Sequence, residues 1–330
     1  MNQENGNANG YSVFTTFMLE KMQHPLVSVK TKIRGKMRQS NFLFLESSLR
    51  FLITLNSNKM KNIIFLLVIV LFASCETKVD IPLDTANPKL VIDANILWQK
   101  GTSGSTQKIK LTTTTDFYSS TIPVVSGATV TVSNSANTVF VFTETPNTGE
   151  YVCTNFVPAI NETYTLNIQY AGQFYTATEK LLATPTIDSV EQNTVQGFGG
   201  DIIQVKFFFQ DNGAEVNNYL IGIKNPSDVA PKFRAQKDEF FNGNQMFGLY
   251  SDMVLKSGDE LFFSLQGIPL RYYNYMSKLI NISASGSGGS PFSTPPATLR
   301  GNIMNQTDEN NYPLGYFHLS EIDTRNYIVN

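Results

Sequence analysis

From Pro88 onward, apolar and polar residues alternate in short runs. In "GATVTVSN", Val130 and Val132 fall on one face and Thr129 and Thr131 on the other; in "TQKIKLTTTT", Ile109 and Leu111 share a face. A period of two places alternate side chains on opposite sides of a strand, so both runs predict half-buried β-strands. "KLVIDANILW" leads in, and "NTVFVFTE", "GEYVCTNF", "ETYTLNIQY" and "GQFYTATE" follow. Turn residues separate them at Pro146-Asn147-Thr148-Gly149, Asn161-Glu162 and Ala171-Gly172. Short β-branched and aromatic runs recurring about every ten residues predict an antiparallel sandwich. Residues 88–184 are therefore expected to form one immunoglobulin-like domain.

"LLATPTIDSV" interrupts the rhythm, and Pro185 marks the expected boundary. Residues 185–330 read as a second β-rich domain with one short helix and long loops, which makes the fold class all-β. "DIIQVKFFFQDNG" is a strand ending in a turn at Asp211-Asn212-Gly213; "NYLIGIKNP" and "DELFFSLQG" are further strands. "DEFFNGNQMFG" carries too much Gly and Asn for regular structure. Tyr272, Tyr275, Met276 and Leu279 stand at i, i+3, i+4 and i+7, one face of a helix over 270–280, and their stripe is expected to be core. "SASGSGGSPFSTPPA" is expected to be a long exposed loop.

Ahead of the strands the pattern changes. Ile63 to Ala73 is an unbroken run of eleven apolar residues after Lys61, and Ala73-Ser74 precede Cys75. A membrane-spanning helix takes about 20 residues, so the run suits the core of an export signal. Small residues just before a cysteine are what bacterial lipoprotein maturation requires, because the thiol is acylated and the chain then cleaved before it. Residues 60–74 are thus expected to be a lipoprotein signal peptide, Cys75 the lipidated residue, and 75–87 a polar tether. Residues 1–59, with the basic cluster "KTKIRGKMR", read as upstream sequence not needed for export.

Charge and chemistry narrow the options. The chain is 16% charged, and sixteen basic against twenty-four acidic residues follow Cys75. With a formal charge of about −8 and no basic stripe there, nucleic acid is not an expected partner. Two cysteines exclude a disulfide framework, and Cys153 reads as a buried small hydrophobe. The two histidines are His24, in the upstream segment, and His318, expected to be structural; no histidine zinc site is expected. "QGFGGD" reads as a hairpin turn rather than a phosphate loop, and "QDNGAEVNN" as a turn lacking the calcium-loop glutamate. The acid pairs Asp238-Glu239, Asp259-Glu260 and Asp308-Glu309 are expected in solvated turns. No catalytic residue, cofactor or metal is expected, and the ligand is not legible.

The lipoprotein signal, "PKLVIDANI", "SGATVTVSN", "GEYV", "ETYTLNI", "FYTATE", "TIDSV", "YYNYMSKL", "SPFSTPPATLRGNI" and "LGYFHLSEI" follow one another in a familiar order. Over residues 60 to about 325 the chain resembles the Bacteroidetes lipoprotein family catalogued as domain of unknown function 4249. "GNIMNQTDENNYPLGYF" departs from the family by an insertion. The resemblance implies a cell-envelope lipoprotein of a kind often encoded beside outer-membrane TonB-dependent receptors. Together with the lipid signal and the acidic all-β body, it leads to the expectation of a non-enzymatic outer-membrane lipoprotein, facing the periplasm or the surface, that is an accessory or substrate-binding partner of a TonB-dependent transporter. It supplies no catalytic residue. An adhesive or structural envelope protein is the alternative, and a carboxylate-based hydrolase the remote one. Asp84-Thr85-Ala86 and Asp188-Ser189-Val190 match a three-residue O-glycosylation pattern of Bacteroidetes.

Overall fold

The computed structural model describes residues 87–116, 119, 121–197, 199–286 and 299–330, with the side chains of 284–286 excepted. Strands β1 (Leu90–Gln99), β2 (Gln107–Thr113) and β5 (Glu150–Cys153) form one layer of an N-terminal sandwich. β3 (Thr129–Asn134), β6 (Thr163–Tyr170) and β7 (Gln173–Lys180) form the other. β4 (Val139–Thr145) changes layer along its length, pairing first with β3 and then, from Thr143, with β5. The alternation delivers both inner faces to one core: Ile92, Ile96, Ile109 and Leu111 from one layer meet Val130, Val132, Leu166 and Ile168 from the other. Each such fully buried side chain contributes about 1.5–3 kcal/mol of burial free energy.

Two features mark this sandwich as immunoglobulin-like. Its strands run three against four in that order, and Tyr164, second in β6, donates its hydroxyl back to Val157 O at 2.8 Å. The tyrosine fills the core while its polar tip closes the preceding corner. The turn after β6 is as tight as its residues suggested. Ala171 and Gly172 both have positive φ, 49° and 74°, the two-residue hairpin loop whose twist matches the strands it joins.

The second region repeats the plan. β8 (Ile187–Gly197), β9 (Gly200–Gln210) and β12 (Gln245–Ser251) make the three-stranded layer. β10 (Asn218–Lys224), β11 (Lys232–Lys237), β13 (Glu260–Gly267) and the end of β15 (Leu314–Ile328) make the four-stranded one. Phe207, Phe209, Tyr219 and Phe263 fill the space between, with ring centroids 5.0–6.2 Å apart. "QGFGGD" is the β8–β9 hairpin, closed by the pair Gly197 and Gly200. "DEFFNGNQMFG" is not irregular throughout: from Gln245 it becomes β12, paired residue by residue with β9. "TIDSV" opens β8, and β11 is a further strand.

β15 joins the two sandwiches. Its first part, Leu314 to Ile322, runs parallel to β1; its last part, Ile322 to Ile328, runs antiparallel to β13. Hydrogen bonding therefore continues through a single order of twelve strands, with β14 (Met304–Asn305) at the far edge beside β7. β13 does not yet cover the first part of β15, so Asn302 takes its place: its amide accepts from Phe317 N at 2.9 Å and donates to Phe317 O at 2.8 Å. Gly315 is needed where β15 meets β1. Its φ is 106°, and a Cβ there would overlap Ile92 O.

Helix α1 (Leu270–Gly286) lies on the outer face of this shared sheet and runs past the expected end at 280. Ser283–Gly286, expected to be loop, complete it, and Ser283 bonds its hydroxyl back to Leu279 O at 2.6 Å. Residues 287–298 of the Gly/Ser/Pro stretch lie outside the described residues. Tyr272, Tyr275, Met276 and Leu279 bury against Val91, Leu220, Leu314 and Tyr316, as the helical spacing predicts. The sheet is thus a middle layer where α1 crosses it. That is why β10 and the start of β15 are buried on both faces.

Candidate functional site: a cleft beside the linker

The segment Leu181–Thr186 between the sandwiches is clamped to β13 and β15. Thr184 receives Gly267 N on its hydroxyl at 2.6 Å and donates to Glu321 O at 2.5 Å. Glu321 also accepts from Thr184 N at 3.1 Å and pairs with Lys100 at 2.7 Å. Asp323 then accepts from Ile187 N at 2.7 Å, and Arg325 donates to Ile187 O at 2.7 Å. Four of these partners sit on β15 or its neighbour, so the strand that joins the sandwiches also fixes the linker's path.

Beside this clamped linker a cleft of about 1100 Å³ opens at the near end of the second sandwich. Its walls are the linker, the loops after β9 and β11, the end of β13 and the start of α1. Two buried aspartates hold the loops in place. Asp211 accepts the Tyr219 hydroxyl at 2.5 Å and Gly243 N at 2.7 Å. Asp238 accepts Asn217 N at 2.5 Å. Burial, and then the Asp211 carboxylate it donates to, hold the Tyr219 phenol far above its ordinary value. Asp238 was expected in a solvated turn; it is 1% exposed because its carboxylate ties one loop to the next. Asp308-Glu309 is exposed at a turn, as expected, whereas Asp259 is half-buried and Glu260 opens β13 rather than sitting in a turn.

The cleft surface is polar with an apolar lip. Asn218 lines it, 7% exposed, and next to it the side-chain oxygen of Asn217 is buried without a hydrogen-bond partner among the described residues. Lys180, Lys237, Asp188 and Glu239 line the walls, and Lys237 also sits 5.2 Å over the Tyr273 ring. Val216 and Leu270 stand exposed on the rim, and Phe240, 87% exposed, projects from the turn that carries Glu239 and Asn242.

The remaining sequence candidates fall elsewhere. Cys75 and Asp84-Thr85-Ala86 lie outside the described residues; Asp188 and Ser189 are exposed at the start of β8. Cys153 is buried in β5 with its thiol 3.1 Å from Asn155 Oδ1. His318 is fully buried on β15, stacked on Tyr272 at 3.8 Å, and neither ring nitrogen has a hydrogen-bond partner. Desolvation pushes it down to about 3, so the ring is neutral. Glu179 is buried nearby, pushed up by desolvation, and accepts from Tyr316 and Asn302, each at 3.4 Å. Among the described residues no group of three His, Cys, Asp or Glu is placed to hold a metal ion, and no helix is long and apolar enough to cross a membrane.

A family model described as a domain of unknown function, DUF4249, matches residues 76–326. The chain belongs to that family. The matched DUF4249 region takes in both sandwiches, α1 and every wall of the cleft. No curated protein is detectably similar to this DUF4249 chain in sequence. Solved structures with some likeness include a cytokine receptor complex, 8% identical, covering 55% of this chain and 91% of that one at a TM-score of 0.23. Chicken CNTN1 FN1–FN3 domains are 13% identical over 53% of this chain and 62% of that one, at 0.24. A DUF4785 family protein from Legionella pneumophila is 12% identical over 54% and 51%, at 0.20. Such scores do not equate the architectures.

Proposed function

We propose that this protein is a non-enzymatic lipoprotein of the bacterial outer membrane, held by acyl chains on Cys75. In this reading the sandwiches present the cleft to a ligand beside a TonB-dependent transporter. The anchor is supported by the apolar run Ile63–Ala73 ending in Ala73-Ser74-Cys75 and by the polar stretch that follows. Acyl chains add about 0.8 kcal/mol per buried methylene, enough to hold a folded body at a membrane without a spanning helix.

The observation that carries a binding role is the fate of the cleft's buried acids. Asp211 and Asp238 are occupied by the backbone of the cleft's own loops and, for Asp211, by Tyr219. They fix the shape of the walls, which favours a preformed binding site over an acid–base pair. The test is to purify the native protein from envelopes in mild detergent and identify what comes with it. Co-purification of a TonB-dependent receptor is expected; reproducible recovery without any receptor barrel contradicts the partnership.

A further inference from the structure

We propose that the cleft takes a neutral oligosaccharide, a proposal that rests on the reading of this cleft as the binding site. The first ground is Asn217. Its side-chain oxygen is buried in the cleft lining without a hydrogen-bond partner among the described residues. A buried acceptor in that state is completed by a donor from a ligand, as a hydroxyl supplies. Asn161, Asn218 and Asn242 line the same space and offer further amide donors and acceptors.

Charge and shape narrow the class. Lys180 and Lys237 share the lining with Asp188, Glu215 and Glu239, so no excess of cations is present to hold a phosphate or carboxylate ligand. An extended peptide adding as a strand needs open backbone groups. At the cleft these are already paired: Ile268 N with Asn218 O at 2.8 Å, Asp211 N with Asn244 O at 3.1 Å, Asp238 N with Asn217 O at 3.2 Å. The lip instead offers exposed carbon surface, at Val216 and Leu270, for the flat apolar faces of sugar rings. A volume of about 1100 Å³ accommodates several such rings.

The test is calorimetric titration of the full chain, in mild detergent, with neutral hexasaccharides of glucan, mannan and xylan. An oligogalacturonide and a lysine-rich peptide serve as charged comparators. At least one neutral hexasaccharide is expected to bind with a Kd between about 10 µM and about 1 mM. Asn217→Ala and Leu270→Ala are each expected to weaken it about tenfold, and Met253→Ala, on the loop after β12, to leave it unchanged. Leu270 is exposed, so its variant keeps the test available if Asn217→Ala does not fold. Binding of only the charged comparators, lost in Leu270→Ala, overturns the ligand class and leaves the cleft reading standing. Neutral binding that neither variant weakens overturns the cleft reading itself. No neutral binding at about 5 mM overturns the ligand class.

Discussion

Replacing Tyr219 by Phe removes one oxygen atom from the structure that holds the cleft. The ring remains, packed edge-on against Phe209 at 5.0 Å. What is lost is the 2.5 Å hydrogen bond to Asp211 Oδ1, between a tyrosine 2% exposed and an aspartate 4% exposed. Hydrogen bonds to charged groups contribute about 1.5–3 kcal/mol, and a buried carboxylate oxygen left without its donor lies toward the upper end. Tyr219→Phe should therefore lower unfolding stability by about 2–3 kcal/mol. Urea denaturation followed by tryptophan fluorescence and circular dichroism reads this as a lower midpoint at an unchanged m-value. Asp211→Asn should cost a similar amount, because Gly243 N also depends on that carboxylate at 2.7 Å. The double variant should fall short of the sum of the two singles by about 1 kcal/mol or more, since both remove one contact. Losses below about 0.5 kcal/mol, or strictly additive ones, refute the claim that this contact fixes the loops.

Three further outcomes are expected. His318 is neutral in the fold, with its value held at about 3 against 6.5 when exposed, so the unfolded chain binds a proton that the folded one does not. Its contribution to stability is therefore complete above pH 6.5 and declines as pH falls toward 3. His318→Phe, which keeps the stacking partner, should flatten the stability profile between about pH 6 and about pH 4 by about 2 kcal/mol, and a profile parallel to wild type contradicts it. Gly315→Ala places a Cβ against Ile92 O at a φ of 106°, and should cost about 3 kcal/mol or more, read as a large fall in melting temperature. Thr184→Val removes the hydroxyl that bridges Gly267 N and Glu321 O; it should cost about 1–3 kcal/mol and speed hydrogen exchange at Gly267.

The first sandwich was legible because most of its strands, β1 apart, have one buried face and one more open face. Val130 and Val132 inside, Thr129 and Thr131 toward the outside, is a period that a single sequence displays. Where that condition fails, the strand is hidden. β8, "IDSVEQNTVQG", is exposed or half-buried along nearly all its length, so it shows no apolar alternation. The first nine residues of β15 are all buried, with a sandwich core on one side and either α1 or the clamped linker on the other. They read as a strand, but its two partners, β1 and β13, lie far apart in sequence, and nothing local predicts them. β12 was obscured by the Asn-Gly turn before it.

The cleft was less legible still. Asp211 and Asp238 each sit in segments that read as ordinary polar turns, and their role depends on Tyr219, Gly243 and Asn217 arriving from other loops. "QDNG" is a usable signal in hindsight, because a short acid after a strand bonds backbone nearby. It does not tell which backbone. Asn218 gives no sequence signal, since its position inside the cleft is set by the register of β10 against β13.

The most direct measurement for the account as a whole is the intact mass of the mature protein isolated from its native envelope. The account predicts a chain beginning at Cys75 and heavier than its sequence by a diacylglyceryl group, with or without a further amide-linked acyl chain. An unmodified polypeptide, or one whose first residue lies elsewhere, contradicts it.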